Sequence, residues 1–206
     1  MRRDKWLFLF LLITFRLVAS EPFMPNKLQF TAQNYYSVFI MDKGKCSAQE
    51  LASMLLFYNP SINQHKAAKI AQIYIEESQI EGVNSDIAFC QMALETGFLN
   101  YGGDVDKKQN NFCGLGATGN AEPGLHFPDV RTGVMAHIQH LKAYGSKENI
   151  RKPSVDIRFK YVKRGSATSI YKLSGKWASD PLYDQKLENL LIRLFRHKSF
   201  LAFGKR

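Results

Sequence analysis

The sequence predicts a mainly helical single domain of the α+β class, with a long loop or short β-hairpin lobe beside a cleft. Two observations carry this prediction. Apolar residues recur at helical spacing in five segments, most of them preceded by residues that cap helices. Residues 98–131 are rich in glycine and lack this periodicity, which is typical of a loop. The chain has 206 residues, 45% of them hydrophobic and 22% charged, enough for one core.

Residues 1–20 predict a secretory signal peptide. Three basic residues, Arg2, Arg3 and Lys5, precede the apolar run 6–15, and small residues follow it. The run is about half of the roughly 20 residues that a membrane-spanning helix needs, so an uncleaved anchor is the alternative. We therefore expect a secreted or periplasmic protein of the cell envelope.

Residues 21–44 predict an extended N-terminal arm, and residues 45–206 predict the folded domain. The first helix starts at Ser47, because Ser47 and Glu50 have the spacing of a capping box. It ends before Pro60, which cannot continue a helix. Its apolar residues at helical spacing are Leu51, Met54, Leu55 and Tyr58.

Four further helices follow from the same reasoning. The second is predicted over about 65–77. The third covers 87–95, preceded by three competent capping residues and ended by Gly97. A fourth covers about 132–144, and the last starts at Asp180-Pro181, a capping residue followed by a proline at the first helical position. The third is the most apolar of these, which predicts a central position in the fold.

Glu95 is the candidate catalytic residue on physical grounds alone. It stands in the last turn of the third helix, after six uncharged residues. The negative end of the helix dipole and the apolar neighbours both disfavour a carboxylate, so both raise the pKa of Glu95. A carboxyl that keeps its proton near neutral pH can act as the general acid in glycoside cleavage. The alternative is a solvated glutamate at a helix end.

The basic charge is concentrated in the C-terminal part of the chain. The net charge is +10, and residues 147–206 hold 15 Lys and Arg against 5 Asp and Glu. On an exported protein this excess favours anionic cell-envelope polymers over nucleic acid as partners. The alternative is a solvated basic face.

Three cysteines, Cys46, Cys90 and Cys113, lie beyond the predicted signal peptide. They show no zinc-binding spacing, and at most one disulfide can form among them. We expect three small buried residues, with a Cys90–Cys113 bridge as the alternative.

Two linked motifs carry a resemblance to a known family. Residues 93–98 read A-L-E-T-G-F, and residues 110–116 read N-N-F-C-G-L-G. They resemble the A-x-x-E-[ST]-G-[WF] and N-N-x-x-G-[IL] motifs of bacterial endo-β-N-acetylglucosaminidases, glycoside hydrolase family 73. The resemblance continues through Phe127-Pro128 and G-V-M-A-H at 133–137 to W-A-S-D-P-L-Y at 177–183, and covers about residues 65–198.

The resemblance implies a lysozyme-like fold and a peptidoglycan hydrolase. Such an enzyme cleaves the N-acetylglucosaminyl-β-1,4-N-acetylmuramyl bond without a cofactor or metal, and we expect it to act as a monomer on peptidoglycan glycan strands. Glu95 matches the family's catalytic acid. For the second carboxylate, Glu122 is the nearest match in type and Asp129 the alternative; an assisting acetamido group of the substrate is a third possibility.

The resemblance also implies substrate-binding residues. Asn110 and Asn111 match the pair beside the cleft, with a structural role expected for one of them, and Phe112 follows them. Trp177 stands where flagellum-associated relatives have tyrosine, and its ring is suited to stack on a sugar. Tyr183 is the other tyrosine of that motif.

Three rival functions stay open from the residues. A catalytically degenerate fold would bind glycan or act as an envelope scaffold. A cysteine peptidase would use Cys113 with His126 or His137. A zinc amidase would need those histidines together with His140, although no H-E-x-x-H motif is present.

Overall fold

A computed structural model describes residues 36–102, 105–117 and 124–203. The predicted signal peptide and most of the predicted arm lie outside these residues. Five α-helices organise the described chain: α1 Ala48–Tyr58, α2 Gln64–Glu81, α3 Ser85–Thr96, α4 Val130–Gly145 and α5 Tyr183–Phe203. The prediction of a mainly helical single domain is confirmed.

Helix α3 is the centre of the fold. Ten of its twelve residues are buried, and it packs against each of the other four helices. Asn84 caps its start by accepting from the backbone N–H groups of Asp86 and Ile87. Gly97 ends it in the left-handed region, with φ 57°, a conformation that glycine adopts without steric cost. The helix that carries Glu95 is thus fixed at both ends.

The other helix boundaries follow the capping residues. The Ser47–Glu50 capping box of α1 is confirmed. Helix α2 runs four residues beyond the predicted end and stops only at Gly82, in the left-handed region with φ 76°. Helix α5 begins at Tyr183 rather than at Pro181, because the Asp180 carboxylate accepts from Leu182 N (2.9 Å) and holds a turn there.

Extended pairing is sparse in the described residues, where two isolated bridges occur and no strand is formed. Where a hairpin was predicted, two backbone hydrogen bonds join the two sides of the described loop, from Leu125 N to Leu115 O (2.7 Å) and from Phe127 N to Gln109 O (2.8 Å). Residues 118–123 of that loop lie outside the described chain. Among the described helices, none combines the length and the apolar character needed to cross a membrane.

The end of the predicted arm is part of the core. Ile40 is fully buried, its N–H donates to Thr168 O (3.0 Å), and its carbonyl accepts from Asn84 N (2.8 Å). Residue 40 therefore joins the segment before α5 to the start of α3.

A buried ion pair anchors the basic segment after α4. Lys142 Nζ donates to Glu81 Oε2 (2.9 Å), and both side chains are fully buried. Glu81 also accepts from the backbone N–H groups of Arg151 and Lys152. A charge of this kind is costly to bury unless every partner is in place, so the segment is held firmly against α2 and α4.

Candidate active site

Glu95 lies in the last turn of α3, and two side chains from the C-terminal part of the chain reach its carboxyl group. Trp177 Nε1 donates to Glu95 Oε1 at 3.0 Å. The Tyr183 hydroxyl, from the first residue of α5, donates to the same oxygen at 2.5 Å. Glu95 itself is partly exposed, whereas both donors are buried.

Burial of the carboxyl group raises the pKa of Glu95 from 4.5 to about 7. The hydrogen bonds from Tyr183 and Trp177 act in the opposite direction, because they stabilise the carboxylate. The desolvation effect is the larger of the two. Glu95 is therefore a carboxylic acid over much of the range below neutral pH, as the sequence predicted.

The two oxygens of Glu95 have different surroundings. Oε1 accepts both hydrogen bonds, and Oε2 receives none from the described residues. Among the described residues, Ser78 Oγ is the fully buried side-chain oxygen that has no hydrogen bond. Oε2 has no hydrogen bond either, so it must retain some access to solvent. An acid with one oxygen occupied by two donors carries its proton on the other, so Oε2 is the oxygen available to a substrate.

The backbone turns away sharply after Glu95. Gly97, Phe98 and Leu99 follow one another in the left-handed region, with φ of 57°, 56° and 63°. Each non-glycine residue there costs about 1 kcal/mol. Thr96 Oγ1 compensates by accepting from Leu99 N (2.9 Å), which ties the turn to the end of α3.

The structure corrects the sugar-stacking role predicted for Trp177. Only 8% of Trp177 is exposed, because His137, His140 and Tyr144 of α4 pack around its ring at centroid distances of 5.7, 5.2 and 5.6 Å. No open ring face is left for a sugar. The indole instead acts as a hydrogen-bond donor to Glu95.

Tyr183 has a comparable position. It is 4% exposed, and its hydroxyl donates to Glu95 while accepting from Gln91 Nε2 (2.9 Å). Burial and the neighbouring Glu95 raise its pKa well above the ordinary value, so the phenol stays protonated. The predicted substrate-binding role is replaced by contact with the acid.

The asparagine pair supports the loop through its side chains. Asn111 is fully buried; its amide donates to Leu115 O and Leu125 O, and its carbonyl accepts from Leu115 N. The amide of Asn110 donates to Phe127 O (3.0 Å). One structural role was predicted, and the structure gives both amides backbone partners.

Phe112 and Cys113 are also core residues. Phe112 is 3% exposed and packs edge-on against Tyr74, and its contact with substrate stays a prediction. Cys113 is buried, and burial together with Glu95 raises the pKa of its thiol. A catalytic thiol needs the opposite shift, which argues against the cysteine peptidase. All three cysteines are free and buried.

The second carboxylate remains a prediction. Glu122 lies outside the described residues. Asp129 caps α4, with its oxygens accepting from Thr132 N and Thr132 Oγ1 at 2.9 Å each, and these bonds lower its pKa. It borders a concavity between α2 and α4 together with Asn110 and Arg131, a different place from the Trp177–Tyr183 contact with Glu95.

Sequence reasoning missed Gln91 as a member of the site, and it considered His137 only for the rival peptidase and amidase functions. Gln91 stands one helical turn before Glu95 and bonds to Tyr183, and His137 Nε2 contacts Gln91 Oε1 at 2.9 Å. Both nitrogens of the His137 ring are engaged, the other with Tyr74, so this histidine is not free to bind zinc. The signal for Gln91 was its spacing of four residues from Glu95 on an otherwise apolar helix.

The described chain is thus a helical domain with a glutamate of raised pKa in the last turn of its central helix. The family model described as Glucosaminidase, mannosyl-glycoprotein endo-beta-N-acetylglucosaminidase, matches residues 71–195. The chain therefore belongs to the glucosaminidase family, which includes peptidoglycan hydrolases, and the resemblance predicted from the two motifs is confirmed.

Two similar proteins complete the comparison. An uncharacterized protein of Borreliella burgdorferi is 48% identical over 164 residues, which cover 80% of each chain. The crystal structure of S. aureus autolysin E in complex with the muropeptide NAM-L-Ala-D-iGlu matches 79% of this chain and 72% of its own, with 18% identity and a TM-score of 0.47. At that level the likeness supports no statement about activity.

Proposed function

We propose that the chain hydrolyses the N-acetylglucosaminyl-β-1,4-N-acetylmuramyl bond of peptidoglycan with Glu95 as the general acid. The observation that carries this proposal is the state of the Glu95 carboxyl group. Burial raises its pKa to about 7, one oxygen accepts from two donors, and the other has no hydrogen-bond partner among the described residues. Membership of the glucosaminidase family supports the class of bond.

In the proposed reaction, Oε2–H of Glu95 donates its proton to the glycosidic oxygen. The bond between this oxygen and the anomeric carbon breaks, and its electron pair stays with the leaving sugar, which departs as an alcohol. The positive charge that develops at the anomeric carbon is met first by the substrate's acetamido oxygen or directly by a water molecule. In the direct route the second carboxylate, Glu122 or Asp129, takes the proton of the water, and Glu95 regains its proton from solvent. Where the acetamido group assists, the Glu95 carboxylate takes the proton of the incoming water and is restored.

Trp177 and Tyr183 serve this step by fixing the carboxylate that forms. Their hydrogen bonds become stronger when Glu95 loses its proton, since a charged acceptor binds a donor more tightly than a neutral one. The two donors are held in place before the reaction and need no reorganisation. They stabilise the carboxylate that forms when Glu95 donates its proton. In the resting enzyme the effect of burial on the pKa is larger, so Glu95 still carries its proton.

The proposed place of action is the cell envelope. Support comes from the basic and apolar pattern of residues 1–20 and from the excess of Lys and Arg beyond residue 147. Peptidoglycan glycan strands are the proposed partner, with anionic envelope polymers as additional ones.

The experiment uses purified peptidoglycan and mass spectrometry of the soluble fragments. We expect new reducing N-acetylglucosamine ends with the wild type and their loss with Glu95→Gln. Glu148→Gln is the matched control, since Glu148 is an exposed carboxyl in the segment after α4. New reducing ends at N-acetylmuramic acid would show that the enzyme cleaves the bond of a muramidase and not the proposed one. Binding to the wall without cleavage would support the degenerate glycan-binding protein instead.

A further inference from the structure

The Tyr183 hydroxyl is one end of a buried chain of hydrogen bonds that crosses the core from α5 to α2. Gln91 Nε2 donates to the Tyr183 oxygen at 2.9 Å, and Gln91 Oε1 lies 2.9 Å from His137 Nε2. His137 Nδ1 lies 2.9 Å from the Tyr74 hydroxyl. Each of the helices α5, α3, α4 and α2 thus contributes one side chain to this hydrogen-bond chain, which ends at Glu95.

The chain has a defined direction, which the donors and acceptors determine step by step. Tyr183 gives its only hydrogen to Glu95 Oε1, so its oxygen accepts from the Gln91 amide. That places the carbonyl of Gln91 towards His137, which must then carry its hydrogen on Nε2. His137 Nδ1 is left as an acceptor and takes the hydrogen of Tyr74.

The reverse direction conflicts with two groups. It would require a hydrogen on Glu95 Oε1, where the indole of Trp177, which can only donate, already points. It would also leave the Tyr74 hydroxyl hydrogen without an acceptor in the described core, at the cost of a buried unsatisfied donor. The direction towards Glu95 satisfies every donor and suits both charge states of the acid.

We propose that Gln91 and His137 are positioning residues, which hold the Tyr183 hydroxyl as a donor to Glu95 Oε1 and thereby keep the acid proton on Oε2. His137 fixes the orientation of the Gln91 amide, and Gln91 fixes the rotation of the Tyr183 hydroxyl. Neither side chain touches Glu95. This inference rests on the proposed function for its catalytic meaning, although the hydrogen-bond chain exists in the free protein.

The titratable members of this hydrogen-bond chain, His137, Tyr74 and Tyr183, stay neutral while Glu95 titrates. Burial lowers the pKa of His137 to about 3, with His140 as a smaller cause, and raises the pKa of Tyr74 and Tyr183 well above the ordinary value. Burial also raises the pKa of Cys113, which approaches Glu95 from the loop and is influenced by Asp156 as well. On the far side of Trp177, His140 is paired with Asp156 at 2.7 Å.

The test measures the protonation of Glu95 directly, in protein labelled with ¹³C at the glutamate side-chain carboxyl. The Glu95 signal is assigned with Glu95→Gln, and its midpoint is followed by NMR against pH without any substrate. Gln91→Met removes the amide with little change of shape. Since the bond from Tyr183 lowers the pKa of Glu95, loosening it should raise the midpoint by about half to one pH unit.

His137→Phe keeps a ring in the same place and releases the Gln91 amide, so we expect a rise in the same direction and of smaller size. Gln139→Met is the matched control. Gln139 is equally buried on α4, but it bonds to the backbone of Pro153, Val155 and Asp156 and to no member of the hydrogen-bond chain. The control should leave the Glu95 midpoint unchanged.

Two results would overturn the proposal. One is an unchanged Glu95 midpoint in folded Gln91→Met and His137→Phe. The other is loss of folding in both variants while Gln139→Met folds, since this would assign the chain to stability alone. In active preparations the alkaline limb of the pH–kcat profile should move with the NMR midpoint. The midpoints of the variants could shift as expected while the wild type shows no hydrolytic activity. That result would refute the proposed function, and the positioning role of Gln91 and His137 would remain.

Discussion

The two halves of the family signature lie close in sequence and do different work. The Glu95 half ends in a carboxyl group whose Oε2 has no partner among the described residues. In the Asn110–Asn111 half, the amide donors of both side chains are taken up by backbone carbonyls. An unsatisfied polar atom at the surface can meet a ligand, whereas satisfied buried atoms, as in the Asn111 side chain, hold a fold together. A shared motif therefore does not imply a shared role.

The largest expected effect is on activity, and it should distinguish Glu95 from the asparagine pair. Glu95→Gln should lower kcat by about 10²- to 10⁴-fold, because an amide cannot donate the acid proton. We expect its circular dichroism spectrum to match the wild type, and the release of soluble fragments from peptidoglycan provides the rate. A variant that keeps half of the wild-type rate would remove Glu95 from the reaction.

The second effect tests the close fit between the asparagine turn and α4. A Cβ atom at Gly133 would lie 1.8 Å from Asn110 O, so the turn must move in Gly133→Ala. We expect a loss of about 3 kcal/mol in the free energy of unfolding, measured by urea denaturation. Met135→Ala, on the partly exposed side of the same helix, is the control and should cost clearly less.

The third effect ranks the two asparagines. Asn111→Ala removes three hydrogen bonds from a fully buried site and should cost about 2 to 3 kcal/mol, because it leaves backbone groups unpaired. Asn110→Ala removes one and should cost about 1 kcal/mol. Urea denaturation of both variants measures this, and equal costs would contradict the ranking.

The fourth effect concerns the stability cost of the acid. The pKa of Glu95 is raised from 4.5 to about 7 on folding, so its contribution is fully present below pH 4.5 and is lost as the pH rises towards 7. Glu95→Gln does not ionise and should therefore have the higher Tm at pH 8 relative to the wild type. The difference should vanish at pH 4, and a Tm difference that does not depend on pH would show that Glu95 titrates normally.

The smallest effect concerns the basic C-terminal part of the chain. If its charge attracts anionic wall polymers, binding of Glu95→Gln to insoluble peptidoglycan should weaken as salt increases from about 50 mM to about 500 mM. A Lys160→Glu, Lys163→Glu double variant changes two exposed charges and should flatten the dependence. A response to salt that is the same in both proteins would exclude these lysines from binding.

Local signals made the helices and the acid predictable. The capping box at Ser47 and the glycine at residue 97 act through neighbours within a few positions, and both appear as predicted. A raised pKa of Glu95 was predicted from its helix end and its apolar neighbours, and in the structure the cause of the rise is desolvation by burial. Where the local signal was weak, as at the end of α2, the predicted boundary was four residues short.

The roles of Trp177 and Gln91 depend on distant parts of the chain. Trp177 is separated from Glu95 by 82 positions, and its burial results from rings that α4 supplies. Gln91 and His137 are 46 positions apart. A tryptophan near a predicted cleft favours sugar stacking until the packing of the helices is known, so sequence alone could not give it the role of a donor.

The residues that contact Glu95 come late in the chain. A nascent polypeptide that ends before residue 177 would contain the glutamate and its helix but neither the indole nor the phenol that bind it. The hydrogen bonds to Glu95 are thus complete only when Trp177 and the start of α5 pack against α3. In the proposed enzyme, Glu95 would therefore gain both hydrogen-bond donors only after the C-terminal segment has been synthesised.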